Sequence, residues 1–358
     1  MPVSTIPFGP QHPVLPEPIH LKLTVEDEVI KEVVPALGYV HRGLEKLAGT
    51  RDFHQMVQIV ERVCGICSMM HAMCYCECVE AMMGIETPPR ARYLRLIWSE
   101  LNRLHSHLLW LGLFADSFGF ESLFMQFWKI REKVMDLQEA TAGNRVIVSV
   151  NVIGGLRRDL SPEQQQTILN ILDRVEDEMR LLEKPLLGDY TVMKRTKGKG
   201  IVSAARALEL GCVGPTLRGS GVAQDMRQLG YEAYGDLAFE PRVEKDGDCY
   251  SRLKVRYREV FQSIDLIRQA MEKIPAGEIA AVVKGRPEGE GLARVEQPRG
   301  EVFYYVKADG KKYLERIRIR TPTFANVPVL LAMLPGMCLS DVPVIVLSID
   351  PCISCTER

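Results

Sequence analysis

Glu61-Arg62-Val63-Cys64-Gly65-Ile66-Cys67 and Asp350-Pro351-Cys352-Ile353-Ser354-Cys355 are the two stretches that decide the fold. Each contains a Cys-x-x-Cys pair, and 284 residues lie between the pairs. Two pairs of thiols so far apart make sense if the fold brings them together on one soft transition metal. Because chain ends normally fray, the position of the second pair predicts that residues 350–358 are held inside the protein.

The composition is that of an ordinary globular protein and excludes several classes of function. The 358 residues include 45 basic and 46 acidic side chains, with 46% hydrophobic residues. No strongly basic stretch interleaves with aromatic residues, so nucleic acid is not expected as a partner. We find neither a signal peptide nor an uninterrupted apolar stretch typical of a membrane span. Ten cysteines in such a chain indicate a reducing compartment, where thiols bind metals or pack in the core.

The pattern of apolar residues predicts an α+β fold that is mainly α. A central helical bundle would carry small β-sheet elements near the N- and C-termini. We expect a single domain, 1–358, made of three regions: an N-terminal loop and β-hairpin at 1–40, a mainly helical core at 41–285, and a β-hairpin with a C-terminal metal-ligand segment at 286–358. Locally, the pattern predicts helices at 43–57 and 61–83, a loop at 285–301 and a buried strand at 342–347. A further helix is predicted where apolar residues from Leu94 to Leu108 repeat at spacings of three and four. Another is predicted to start at Ser161, with serine at the N-cap and Gln164 at N3.

Four cysteines at this spacing allow more than one metal. Structural zinc is the simplest interpretation of two Cys-x-x-Cys pairs, and an iron–sulfur cluster is the second. Cys74, Cys76 and Cys78 lack the compact spacing of a ferredoxin and are better explained as thiols that pack a helix. His71 lies four residues after Cys67 on the same helix face, so it is a candidate hydrogen-bond donor to a ligating sulfur.

Both cysteine stretches resemble the signatures of nickel–iron hydrogenase large subunits. The N-terminal signature includes Arg42-Gly43-Leu44-Glu45, which fifteen residues separate from Glu61. The chain departs from the commoner form of the family at Ile349 and at Arg358, where many members have histidine. In that family a C-terminal extension is removed after this position once nickel is inserted. The resemblance therefore implies a maturation endopeptidase and a processed end at Arg358.

Other stretches are similar to the quinone-site-forming subunit of respiratory complex I. They are Gly9-Pro10-Gln11-His12-Pro13, His41 to Leu47, Ser106 to Gly112 and Pro298-Arg299-Gly300-Glu301. That subunit lacks the four metal cysteines. A chain that combines both sets of motifs resembles the energy-converting, membrane-associated hydrogenases, and its length is most similar to the Ech type.

The resemblance implies a nickel–iron centre and assigns its ligands. Cys64 and Cys352 would be terminal nickel ligands, whereas Cys67 and Cys355 would bridge nickel and an iron that carries cyanide and carbon monoxide. A magnesium or iron ion near the C-terminus is a further expectation.

The resemblance also implies residues that assist catalysis. Cys352 would accept the proton from heterolytic cleavage of hydrogen, and Glu45 would relay it outward. Arg299 would stand over the iron and donate hydrogen bonds to its cyanides. Pro322, Thr323 and His71 would line the centre and position its ligands. Asp116 and Asp350 would hold supporting arginines.

The implied partners are the other subunits of a membrane complex. Electrons would pass through a small subunit with 4Fe-4S clusters to ferredoxin, and membrane subunits would couple the reaction to ion translocation. The expected location is the cytoplasmic side of the membrane, at its periphery. The alternatives are a complex I-type quinone-reducing or structural subunit without nickel, and a protein that binds structural zinc.

Overall fold

The computed structural model describes residues 3–358, and helices make up 51% of it. Within these residues the helices are α1 (Met56–Val60), α2 (Ser68–Met83), α3 (Pro89–Asp116), α4 (Glu121–Ala142), α5 (Pro162–Leu187), α6 (Tyr190–Thr196), α7 (Ala204–Glu209), α8 (Gly214–Arg218), α9 (Cys249–Lys273), α10 (Pro322–Met333), α11 (Val342–Ser348) and α12 (Ile353–Thr356). Together with small antiparallel sheets, they confirm the predicted mainly helical α+β class.

The longest of these helices, α3, is the centre of the bundle and packs against α4 and α9. Its first residue is Pro89, whose fixed φ suits the first helical turn. Leu94, Ile97, Leu101 and Leu104 follow at spacings of three and four residues, and all of them are fully buried. This buried face fixes α3 in the core, so that the helix can serve as a frame for the elements around it.

Two three-stranded sheets lie near the ends of the chain. The first pairs β1 (Val3–Phe8), β2 (His20–Glu26) and β3 (Val29–Ala36) in that order. The second pairs β6 (Glu288–Gln297), β7 (Gly300–Asp309) and β8 (Arg316–Arg320), and β4 (Asn151–Val152) and β5 (Gly155–Leu156) form a short ladder between them in sequence. The tight β6–β7 turn contains Arg299, whose side chain is buried.

Two local predictions near the second cysteine pair are wrong. Residues 342–347 form helix α11 rather than a strand, because a short apolar run has no periodicity that separates the two states and Pro343 starts a helix well. Most of the loop predicted at 285–301 is strand β6. Its sequence does not predict a strand, because Gly289, Gly291 and several charged residues are of types that are uncommon in strands. Pairing with β7 stabilises it.

Two further corrections concern the first cysteine pair. Instead of a helix at 43–57, the chain forms a 3₁₀ turn at Lys46–Gly49 and the short α1. Helix α2 begins at Ser68 rather than near Glu61, so Cys64 and Cys67 both precede it. The two thiols therefore lie on irregular backbone, which lets them point to the same side.

The start of α5 offers a test of local helix stability. Ser161 Oγ accepts a hydrogen bond from Gln164 N at 3.2 Å, and Gln164 Oε1 accepts one from Ser161 N at 3.0 Å. Replacing Ser161 by alanine is expected to lower the free energy of unfolding by about 1 kcal/mol. Urea unfolding measures this change. Ser161→Asp keeps the cap and is the control; an equal loss in both variants would contradict the capping role.

Within residues 3–358, no helix combines the length and the apolar character needed to cross a membrane.

Candidate metal centre

The structure brings the four predicted cysteines together although 288 positions separate Cys64 from Cys352. Their sulfur atoms meet in two contacts, 3.3 Å from Cys352 Sγ to Cys64 Sγ and 3.6 Å from Cys67 Sγ to Cys355 Sγ. The sulfurs of Cys64, Cys67 and Cys355 all lie within 4.8 Å of one another. All four thiols are free and buried, so they form one convergent sulfur site.

Hydrogen bonds among the thiols determine their protonation. Those from Cys352, Cys355 and Cys67 lower the pKa of Cys64 well below its usual range. Burial raises the pKa of Cys67 and of Cys355. Cys64 is therefore the most acidic of the four thiols, and the guanidinium of Arg299 also favours its thiolate. A soft cation that replaces the thiol protons would complete the site.

His71 contacts the sulfur site from α2. Its Nε2 lies 3.4 Å from Cys355 Sγ, and its Nδ1 lies 2.8 Å from the hydroxyl of Tyr304. Burial lowers the pKa of His71 to about 4, so the ring is neutral. In one of the two neutral tautomers, Tyr304 donates to Nδ1 and Nε2–H donates to the sulfur. The structure thus places His71 within hydrogen-bonding distance of one of the four thiols.

Arg299 approaches the site from the β6–β7 turn. Its Nη2 forms an ion pair with Asp350 Oδ1 at 2.8 Å, and its Nε donates to the Asp350 carbonyl at 2.9 Å. The turn packs so closely on α8 that a Cβ on Gly214 would lie 2.3 Å from the Arg299 carbonyl oxygen. Asp350 thus holds an arginine beside the thiols. Asp116, by contrast, is exposed.

The start of α10 contacts the second cysteine pair. Thr323 Oγ1 accepts a hydrogen bond from Cys352 N at 3.1 Å, and Thr321 Oγ1 donates to the Cys355 carbonyl at 3.0 Å. Pro322 is buried between these two residues. Pro322 and Thr323 therefore lie next to the sulfur site, and Thr323 fixes the backbone at Cys352.

Glu45 lies in a cleft that also contains basic side chains. Its carboxylate accepts hydrogen bonds from Ile319 N at 2.9 Å, Arg318 at 2.7 Å and Arg358 at 3.1 Å. Burial raises the pKa of Glu45, but these three donors outweigh it and the pKa is lowered. The partners of Glu45 within residues 3–358 are thus cations and a backbone amide rather than a cysteine, and they favour the ionised form.

Glu17 is a site residue that sequence reasoning missed. Its carboxylate accepts hydrogen bonds from Ile353 N, from Ser354 N at 3.0 Å and from the Ser354 hydroxyl. It also lines a cleft together with Cys352 and Arg299. The available signal was a lone carboxylate between Pro16 and Pro18, in a loop whose one other ionisable side chain is His12.

Arg42 joins the two cysteine segments directly. Its guanidinium donates to the carbonyls of Arg62 at 2.9 Å, Val63 at 2.8 Å and Ser354 at 3.0 Å. It therefore ties the backbone just before Cys64 to the backbone just before Cys355. Such a bridge fixes the spacing of the two pairs through their backbones.

The cleft beside Cys352 has a volume of about 380 Å³ and is mainly apolar. Leu109, Leu113, Trp110 and Trp128 form much of its wall, and Glu17, Arg299 and Cys352 are among its polar or reactive residues. A small apolar molecule entering this cleft would reach Cys352 next to two acidic residues, Glu17 and Asp350, and the guanidinium of Arg299.

The other candidate ligands do not join this site. Cys74, Cys76 and Cys78 are buried in α2, and Cys74 and Cys78 face the carbonyls of Val302 and Tyr304 on β7. In the described part of the chain, no second group of three ligand side chains has metal-binding geometry.

Comparison with known proteins identifies the family. The chain is 42% identical over 361 residues to the carbon monoxide-induced hydrogenase of Rhodospirillum rubrum, with both chains covered completely. It is 40% identical to the membrane-bound hydrogenase subunit alpha of Pyrococcus furiosus, over 99% of this chain and 87% of that one. It is also 36% identical to a subunit of the NADH-quinone oxidoreductase of Clostridium beijerinckii, over 99% and 97%.

The chain belongs to the family of membrane-bound hydrogenase alpha subunits and complex I 49 kDa-type subunits.

Family profiles and a solved structure agree with this membership. The family described as respiratory-chain NADH dehydrogenase, 49 Kd subunit, matches residues 117–286 and 282–358, and the nickel-dependent hydrogenase family matches residues 42–113. A chain from the structure of the membrane-bound sulfane sulfur reductase, an archaeal respiratory membrane complex, superimposes with a TM-score of 0.95 at 30% identity, covering 99% of this chain and 98% of that one. The predicted fold and family are confirmed, and the chain is an oxidoreductase-type subunit related to energy-converting hydrogenases.

Proposed function

We propose that this chain is the catalytic subunit of a nickel–iron hydrogenase that interconverts hydrogen with protons and electrons. The convergence of four free, buried thiols carries the proposal, because soft thiolates are the ligands that suit nickel and low-spin iron. Zinc would also accept four sulfurs. A structural zinc site, however, is normally closed to ligands from outside, whereas here an apolar cleft reaches Cys352.

The residues present fit a nickel–iron centre. Cys64 and Cys352 would be the terminal nickel ligands, and Cys67 and Cys355 the bridging ones. When bound there, the centre would supply the redox chemistry and the open coordination position that cleavage of hydrogen needs. Its iron would carry cyanide and carbon monoxide. Arg299 would offer guanidinium donors to these ligands, and His71 would donate to Cys355 and hold that sulfur in place.

The proton released at Cys352 needs an acceptor, and two carboxylates are candidates. Glu45 is bound by two arginines and held in the ionised form, which opposes uptake of a proton. Glu17 lines the same cleft as Cys352 and is half-buried, and its donors are backbone amides and a hydroxyl. We therefore favour Glu17 as the proton acceptor, with Glu45 holding Arg318 and Arg358 in place.

The proposed partners follow from the relatives. A small subunit with 4Fe-4S clusters would take the electrons and pass them to ferredoxin, and membrane subunits would couple the reaction to ion translocation. Peripheral association with such a complex, on its cytoplasmic side, would account for relatives named as membrane-bound and for a chain without a membrane-spanning helix among its described residues. A maturation endopeptidase belongs to the same proposal.

A quinone-reducing subunit without nickel is the second candidate. It is favoured by the 36% identity to a subunit of NADH-quinone oxidoreductase and by the apolar cleft of about 380 Å³. In that case the thiols would be structural, and the cleft would bind a quinone ring rather than admit hydrogen.

Metal analysis of the purified complex separates these functions. We expect nickel and iron in near-equal amounts, about one of each per chain, and infrared bands of iron-bound cyanide and carbon monoxide. Zinc as the sole metal would reject the hydrogenase proposal. An absence of nickel together with quinone reduction would favour the second candidate.

A further inference from the structure

A second group of ionisable side chains lies in the helical core, outside the sulfur site. Its members come from α3, from α8 and the segment after it, from α9 and from the end of β6, and ion pairs or hydrogen bonds join all of them. They are Glu100, Arg103, His107, Arg218, Asp225, Arg227, Glu259 and Glu296. Each is at least nine-tenths buried. We call these eight residues the core cluster.

Arg218 is the centre of the core cluster. It forms ion pairs with Glu259 at 2.8 Å, Glu296 at 2.8 Å and Asp225 at 3.0 Å. Arg227 forms two further ion pairs, one with Asp225 at 2.8 Å and one with Glu100 at 3.4 Å. The carboxylates therefore share guanidiniums rather than pairing one to one.

The core cluster contains more acids than permanent cations. It has four carboxyl groups and three guanidiniums, and its histidine adds a charge only when protonated. Burial lowers the pKa of His107, whose Nε2 lies 2.8 Å from Glu259 Oε2 and whose Nδ1 has no hydrogen-bond partner within residues 3–358. With His107 neutral, full ionisation would leave these eight residues with one negative charge in excess, which is costly in a buried site. The guanidinium of Arg256, which is also buried, acts on Glu259.

Three of the four carboxyl groups have several strong donors each. Asp225 pairs with Arg218 and Arg227. Glu259 accepts hydrogen bonds from Arg218 and His107. Glu100 accepts them from Arg103, Tyr234 and Ser263. Each of the three acids is therefore stabilised in its ionised form by at least two side chains.

Glu296, in contrast, is held by one arginine and one backbone donor in the described part of the chain. Its Oε1 accepts from Arg218 at 2.8 Å and its Oε2 accepts from Met226 N at 3.1 Å. Burial and the negative charge of Asp225 raise the pKa of Glu296 to about 7, against the attraction of Arg218 and Arg103. Tyr231 is a further titratable neighbour, and its hydroxyl accepts from Glu296 N at 3.1 Å.

We propose that the core cluster is a proton-binding site that takes up and releases one proton on Glu296, the acid of the cluster with the fewest side-chain donors in the described part of the chain. Glu296 lies three positions before Arg299 on the hairpin that carries Arg299 to the thiols. The site thus places a titratable proton close to the turn of that hairpin. The proposal concerns the folded chain alone and does not depend on nickel catalysis.

Infrared spectroscopy of the purified complex tests the proposal, because a protonated carboxyl has a C=O stretch separate from the carboxylate bands. Spectra are recorded from about pH 5 to about pH 9 in wild type, Glu296→Gln and Asp225→Asn. We expect a buried carboxyl that titrates near neutral pH in wild type and is missing in Glu296→Gln. In Asp225→Asn its titration moves to lower pH, since the cluster then has equal numbers of acids and arginines.

Glu290→Gln is the matched control, because Glu290 lies on the same strand and is exposed. It should leave the titration unchanged. A band that persists in Glu296→Gln, or the lack of any such titration in wild type, would overturn the proposal. So would a Glu296→Gln protein that fails to fold, since glutamine has the shape and charge of the protonated acid.

Thermal unfolding gives an independent readout. A carboxyl whose folded-state pKa is raised stabilises the protein fully below about pH 4.5. This contribution to the free energy of unfolding is lost as the pH rises through about 7. Glu296→Gln does not undergo this loss. The melting temperature of the variant relative to wild type should therefore rise as the pH is raised across this interval, and a constant difference would contradict the proposal.

Discussion

If the chain holds the proposed nickel–iron centre, replacing Cys355 by serine is expected to remove it, with metal content and hydrogen turnover both falling by more than about 100-fold. Cys355 is in contact with two other groups of the site, because its sulfur lies 3.6 Å from Cys67 Sγ and 3.4 Å from His71 Nε2. A serine hydroxyl is a harder and less acidic ligand than a thiol. Elemental analysis and a hydrogen-uptake assay on the same preparation measure both losses.

Cys74→Ser is the matched control for this experiment. Cys74 is also fully buried, and burial raises the pKa of its thiol, but its sulfur faces the Val302 carbonyl on β7 rather than the sulfur site. The variant should retain nickel and iron even if its stability falls. A Cys355→Ser protein with wild-type metal content would refute the ligand assignment, whatever its activity.

Replacing Glu17 by glutamine is expected to lower hydrogen turnover by about 100- to 10,000-fold while nickel content stays at the wild-type level. Glutamine can still accept the hydrogen bonds from Ile353 N and Ser354 N through its amide oxygen, so the turn between the two cysteines is preserved. It cannot take up a proton. Hydrogen–deuterium exchange catalysed by the complex measures the proton step directly.

Glu45→Gln is the companion variant and distinguishes the two carboxylates. If Glu17 is the proton acceptor, Glu45→Gln should leave exchange within a few-fold of wild type. A large loss in Glu45→Gln with normal exchange in Glu17→Gln would instead restore the role that the sequence resemblance assigns to Glu45.

The ion pairs of Glu45 predict a separate effect on stability. Because its folded-state pKa is lowered, Glu45 stabilises the protein above pH 4.5 and the contribution is lost as the pH falls through the lowered value. We expect Glu45→Gln to lower the melting temperature at neutral pH and to have a smaller effect in acid. An equal effect at both pH values would argue against a stabilising ion pair.

The sequence predicts the features that depend on local chemistry. The spacing of the cysteines anticipates the convergent thiols, and the apolar repeat from Leu94 onward anticipates α3. Ser161 and Gln164 mark the start of α5 through a capping box that the structure contains. The apolar repeat and the capping box depend on residues that are close in sequence. The cysteines are far apart, but their metal-ligand spacing indicates that they bind one ion.

Features that depend on distant partners could not be predicted in the same way. Strand β6 is stable because β7 pairs with it, and its own glycines and charges argue against a strand. Glu17 becomes a site residue only because the N-terminal loop reaches α12, 336 positions away. Glu45 illustrates the same limit, since a sequence motif suggests a catalytic role but does not reveal that Arg318 and Arg358 bind its carboxylate.

The bridge made by Arg42 bears on the order in which the chain folds. Its guanidinium joins segments that lie at opposite ends of the sequence, and the cysteines beside them are 288 positions apart. Contacts of such long range form after local helices, because closing the intervening loop is entropically unfavourable until the helices have shortened it. We therefore expect the sulfur site to form late in folding, after the helices that bring its two halves together.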